Sequence, residues 1–154
     1  MRIHERVKDM CNNNNNSKSG CIAEILNVIA VLQQNTCCEN GLDSCDRPAL
    51  GGGPNCLVCN TRPIMIYTCC SNSIPLAMPT TKDLTAAPGE ITNPSRVFRV
   101  EKVDGNCCTC RVLTDNPDET STNPFVATNS FFTIDLGCVC SIKCLTDTYI
   151  DCVC

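Results

Sequence analysis

The sequence predicts a mainly β fold: an antiparallel β-sandwich or barrel-like domain with one N-terminal α-helix and a flexible N-terminal arm. Three observations carry this. Residues 21–34 alone show sustained helical periodicity. From residue 61 onward the chain breaks into short β-prone runs separated by turn residues. Finally, 17 of the 154 residues are Cys, a density that marks a disulfide scaffold.

The elements follow in order. Residues 1–20 read as the arm. A run from Asn12 to Asn16 leads into Ser17, Lys18, Ser19 and Gly20, and such a polar segment does not bury enough apolar surface to fold alone. It is a tail, or an arm that orders on a neighbouring subunit with Cys11 as its anchor. A single Cys-rich domain spans 21–154. It opens with a helix over 21–34, where Ile22, Ile25, Leu26, Ile29 and Leu32 recur at the 3.6 period. Val28, Ala30 and Val31 leave little polar face, so the helix is expected to be buried in its own domain or against a partner.

Residues 35–60 form a Cys- and Gly-rich loop with Cys37, Cys38, Cys45, Gly51-Gly52-Gly53-Pro54, Cys56 and Cys59. A loop of this length is usually functional or pinned, and the cysteines are the pins. The β region, 61–154, begins with Ile64–Thr68. A connection containing Pro75, Pro79, Pro88 and Pro94 leads to a strand over 97–103. Asp104-Gly105 signals a hairpin, with the returning strand over 108–113. After a polar loop over 115–123, further strands are expected at 125–128, 131–136, 138–145 and 149–154.

Charge excludes several function classes. The net charge is −4, and no run of Lys or Arg suggests a nucleic-acid surface. The longest apolar stretch, Cys21 to Leu32, contains Glu24 and Asn27 and is too short to span a bilayer. The first ten residues are charged and lack the apolar core of a secretory signal. This sets up a conflict, since disulfide-dense proteins belong to oxidising compartments. Metal binding in the cytosol would resolve it, as would release into an oxidising environment after assembly.

Alternation sorts the cysteines. Residues two apart on a strand share a face, so Cys108 and Cys110 point the same way as Val112. Cys138, Cys140 and Cys144 share a face unless Gly137 makes a bulge, and Cys152 and Cys154 share one with Ile150. Adjacent pairs split: Cys37-Cys38, Cys69-Cys70 and Cys107-Cys108 send one sulfur to each side. One sulfur of a pair can then close an internal bridge while the other faces a neighbour. Direct bridges between adjacent cysteines are strained. Seventeen cysteines cannot all pair within one chain, so at least one thiol is free or intermolecular. Candidate disulfide or cross-link residues are thus Cys11, Cys21, Cys37, Cys38, Cys45, Cys56, Cys59, Cys69, Cys70, Cys107, Cys108, Cys110, Cys138, Cys140, Cys144, Cys152 and Cys154.

Zinc is the main rival. Cys56 with Cys59, and Cys107 with Cys110, have the two-residue spacing that zinc sites use. The two pairs are separated by far more sequence than a zinc ribbon spans, and the only His is His4. A thioredoxin-like site would need its Cys pair to open a helix in a βαβ unit, whereas Cys56–Cys59 lies between a Gly-rich stretch and a strand. A Cys-His protease would need a His in the fold. Asp83, Glu90, Asp115, Asp118 and Glu119 fall in polar loops and read as solvating groups. Gly51-Gly52-Gly53 lacks the Gly-Lys-Ser/Thr of a phosphate loop. No catalytic residue, metal ligand or cofactor is assigned.

Three blocks resemble a known family. Val97-Phe98-Arg99-Val100-Glu101-Lys102-Val103 followed by Cys107-Cys108 is similar to the "FFRVEK…CC" block of the CotY/CotZ/ExsY family of spore coat and exosporium proteins. Ile134–Leu145, with Cys138, Cys140 and Cys144, resembles that family's "VDLGCFCAIQCL" block. Asn60-Thr61-Arg62-Pro63-Ile64-Met65-Ile66-Tyr67-Thr68 is similar to its "NTRPF-LYT" strand. The helix from Cys21, followed by Cys37-Cys38, matches the N-terminal layout. The similarity covers about residues 21–150. It departs from the family in the Asn-rich arm, the Cys-rich loop and the Cys152-Val153-Cys154 end.

The resemblance implies a structural protein of the spore surface, outer coat or exosporium, made in the mother-cell cytoplasm without a signal peptide and exposed to oxidation when that cell lyses. It implies self-association, with hexameric rings in a two-dimensional sheet or else a filament, and contact with other spore coat proteins. The alternative reading is a zinc-stabilised Cys-rich binding module.

Overall fold

A computed structural model describes residues 20–36, 59–83 and 94–153. The expected arm, most of the 35–60 loop, and Cys11, Cys37, Cys38, Cys45, Cys56 and Cys154 lie outside the described residues.

The fold is mainly β, with one N-terminal helix, as the sequence indicates. Helix α1 spans Cys21–Thr36. Five strands follow: β1 (Ile64–Thr68), β2 (Val97–Asp104), β3 (Cys107–Asp115), β4 (Phe125–Asp135) and β5 (Val139–Cys144). They form a single antiparallel sheet in the order β4-β3-β2-β1-β5. The helix takes the place that a second sheet would fill in a sandwich. Its Ala23, Leu26, Ile29 and Ala30 are buried against Ile64, Ile66, Phe98, Val100, Cys108, Cys110 and Val112. Phe98 and Phe132 meet edge-on, with ring centroids 4.7 Å apart. The helix is amphipathic by packing rather than by composition: Ile25, Val28 and Val31, on the face turned from the sheet, are exposed.

The hairpin forms beside Asp104-Gly105, but its loop lies one residue later than expected: Asp104 pairs with Cys107, and Gly105-Asn106 is the two-residue loop. Gly105 takes a φ of +58°, which glycine adopts at little cost. The returning strand starts one residue earlier than expected, at Cys107.

Three strand expectations need correction. The runs at 125–128 and 131–136 join into β4, because a register shift opposite Arg111–Leu113 absorbs the break the sequence suggests at Asn129-Ser130. The run at 138–145 starts later. Leu136–Cys138 forms a 3-10 turn, because the Asp135 carboxylate accepts the Gly137 N–H at 2.8 Å and caps it. Finally, residues 149–153, the described part of the run expected at 149–154, form no strand. Thr148 makes a lone bridge with Thr61. Beyond it the Asn60 side chain accepts the Ile150 N–H and donates to the Ile150 carbonyl, both at 2.9 Å. A side chain thus occupies the groups a neighbouring strand would use, and the chain turns at Asp151 and Cys152, with φ +63° at Cys152.

β1 and β2 meet through one residue pair, Ile64 with Phe98. Beyond it the β1–β5 ribbon parts from the β2–β3–β4 sheet, and Gln33 of α1 spans the seam. Its side chain donates to the Val100 carbonyl at 2.7 Å and accepts the Arg62 N–H at 3.1 Å. Gln33 is 1% exposed, so its amide meets in the interior the two backbone groups that interrupted pairing leaves open.

Candidate functional site

The chemistry carried by this chain is sulfur, and the fold sorts the cysteines into three environments. In the first they are packing atoms. Cys108 and Cys110 are fully buried on the helix-facing side of β3, beside Val112, as alternation requires. Their sulfurs lie 3.6 Å apart. The hydrogen bond with Cys108, and burial, push the Cys110 thiol up, away from ionisation at neutral pH.

In the second, cysteines are internal bridges. Cys69, just past the end of β1, is disulfide-bonded to Cys140 of β5 with Cα atoms 5.0 Å apart. The bridge sits on a β-bulge. Tyr67 pairs with Ser141 and Thr68 with Val139, so Cys140 is the extra residue of β5 and is left out of the ladder. The Cys69 N–H donates to the Cys138 carbonyl at 3.0 Å, which aligns the two segments. Cys59 is also disulfide-bonded.

In the third, sulfur faces solvent. Cys21, Cys107, Cys144 and Cys152 are exposed and carry no disulfide, and Cys138 is half-buried without one. Cys70 is exposed too. The adjacent pairs split as expected: Cys107 is exposed while Cys108 is buried, and Cys69 is bridged while Cys70 is exposed. The expected common face of Cys138, Cys140 and Cys144 does not exist, because Cys138 belongs to the 3-10 turn and Cys140 to the bulge. Cys152 sits in a turn, so it does not share a strand face with Ile150.

The β1–β5 ribbon has two ends. Cys69 and Cys140 lie where β1 ends and β5 starts. Cys107, at the β2–β3 hairpin, pairs with Asp135, four residues before the Val139 that pairs with Thr68, so the β4–β5 connection ties it to that end. Cys144 lies at the other end of the ribbon, paired with Ile64 at the start of β1. There the Leu145 N–H donates to the Pro63 carbonyl and the Thr148 N–H to the Thr61 carbonyl, carrying the pairing onward.

The geometry bears on zinc. Cys107 and Cys110 lie on opposite faces of β3, and Cys59 is oxidised, so neither two-residue pair presents two thiolates to one ion. Among the described residues no three His, Cys, Asp or Glu side chains gather as metal ligands. No helix among them is long and apolar enough to cross a membrane.

Sequence reasoning missed a buried polar framework. Arg99 is 3% exposed. It donates to Thr61 Oγ1 at 2.9 Å, to Glu101 at 3.0 Å and to the Asn60 carbonyl at 3.3 Å. Arg111 shares the same Glu101 oxygen at 3.0 Å and stacks its guanidinium over Phe131 at 4.5 Å. Arg62 and Asp147 form a two-pronged pair at 2.7 and 2.9 Å, which raises the Arg62 pKa further. One signal was legible: Gln33 stands seven residues after Leu26, on the face that buries Ile29 and Ala30.

A family model described as Spore coat protein Z matches residues 9–126. The match includes the segments 60–68 and 97–103 and stops before 134–145. No curated protein and no solved structure matches the chain.

Proposed function

The chain belongs to the spore coat protein Z family, and from that membership we propose that it is a structural protein of the spore surface that associates with copies of itself and is then fixed by disulfides between them. Membership supports a structural role in the spore coat. The finer reading rests on the sorting of sulfur. A domain that needed disulfides only for its own stability would bury them as internal bridges. Here one bridge joins Cys69 to Cys140, while Cys21, Cys107, Cys144 and Cys152 face solvent unbridged.

In this reading subunits fold with reduced thiols in the mother cell, associate non-covalently, and are oxidised once the cell lyses. The products are rings in a sheet, or a filament, in the outer coat or exosporium, on which other coat proteins dock. Purified full-length protein, held in air and run on denaturing gels with and without dithiothreitol, tests this. Ladders that collapse under reductant, with sheets or fibres in negative stain, are expected. A single soluble copy in air, unchanged by reductant, would overturn the reading. The zinc alternative predicts stoichiometric bound zinc with all protein monomeric.

A further inference from the structure

Resting on that self-association reading, we propose that copies are joined head to tail, by a disulfide between Cys107 of one copy and Cys144 of the next. Three observations carry it. First, both are exposed and unbridged. Second, they cannot meet within one chain. Cys144 pairs with Ile64, Ile64 with Phe98, and Phe98 with Val112, and from Val112 to Cys107 strand β3 rises about 17 Å. A disulfide needs Cα atoms within about 7 Å.

The third observation is local charge. The cross-strand partners of Cys107 are Asp104 and Asp135, and Lys102 offsets only one of these carboxylates. Docking Cys107 against Cys107 would gather four carboxylates around one bond, which opposes association. Cys144 follows Lys143 and lies within electrostatic reach of Arg62. Asp147 engages Arg62, so the excess positive charge near Cys144 comes from the adjacent Lys143, on the other face of the β5 strand and within a Debye length. Two other exposed thiols have acidic neighbours: Cys152 follows Asp151, and Cys21 lies one helical turn from Glu24. The acid-flanked sulfur therefore finds its complement at the lysine-flanked one.

Bond formation breaks two S–H bonds and makes one S–S bond. Two protons and two electrons leave the thiols, and dioxygen accepts them and departs as hydrogen peroxide. Because the joined ends are unlike, each copy keeps one of each free. Such a contact propagates into a closed ring or an open filament rather than stopping at a dimer.

The test uses full-length protein made in light-nitrogen and heavy-nitrogen forms, mixed while reduced, then oxidised in air and digested without reductant. A Cys107–Cys144 linked peptide of mixed isotope content is expected by mass spectrometry. Cys107→Ser and Cys144→Ser should each lose this linkage alone, and regain one light–heavy bond per pair when mixed. Lys143→Glu should slow the linkage, and Asp104→Lys in the same chain should restore its rate. Ladders that persist with Cys107–Cys107, Cys144–Cys144 or other cysteines in the bonds overturn this inference and leave self-association standing. Absence of ladders in the unmodified protein overturns both.

Discussion

Cys108 and Cys110 hold their sulfurs 3.6 Å apart inside the core, while Cys107, the preceding residue, lies open to solvent. Labelling with a maleimide in the native state should therefore modify Cys107 promptly and spare Cys108 and Cys110. Both should react once denaturant exposes them. Peptide mapping after timed labelling checks this, and equal rates for Cys107 and Cys108 would contradict the assigned alternation.

Cys69 and Cys140 are 71 residues apart in sequence. Replacing both with Ala is expected to cost about 2–4 kcal/mol, the usual worth of a native bridge. Urea unfolding followed by circular dichroism would show the lower midpoint. Dithiothreitol should lower the midpoint of the unmodified protein and leave that of the double variant much less changed.

Gln33 supplies both ends of one amide to backbone groups on either side of the β1–β2 seam. Gln33→Leu keeps the volume and strands the Val100 carbonyl and the Arg62 N–H. Each stranded group costs about 1–3 kcal/mol. Gln33→Leu should lower thermal stability by more than Gln34→Leu, since Gln34 is exposed.

Arg99 is held by Thr61, Glu101 and the Asn60 carbonyl. Removing one partner of a buried ion pair typically costs about 3–5 kcal/mol, so Arg99→Ala should unfold at much lower urea. Arg99→Lys should recover only part of the loss, because an ammonium cannot match the spread of the guanidinium's contacts. Full recovery with Lys would show that charge alone matters here.

Legibility in the sequence followed the kind of interaction. The period-two pattern of Cys108, Cys110 and Val112 was readable, because alternation is a property of the backbone. So was a hairpin near Asp104-Gly105, though its loop is Gly105-Asn106, with the positive φ at Gly105. The end of the chain was not. Ile150 looks β-prone, but its backbone groups are taken by Asn60, 90 residues away. Arg99 was hidden for the same reason: an Arg in an alternating strand reads as solvent-facing until Thr61 and Asn60 are known to cover it. Among the sites, exposure of Cys107 was legible and that of Cys144 was not, since the bulge at Cys140 resets the count along β5.

The lone Ile64–Phe98 contact between β1 and β2 has a mechanical meaning. A continuous ladder resists shear by loading many hydrogen bonds together. Here the β1 side of the β1–β5 ribbon is held to β2 by one rung, an amide and a greasy patch of helix, while the Leu136–Cys138 turn ties β5 to β4 through the backbone. With so few hydrogen bonds across it, that seam lets the two parts of the sheet tilt about the turn without breaking a ladder.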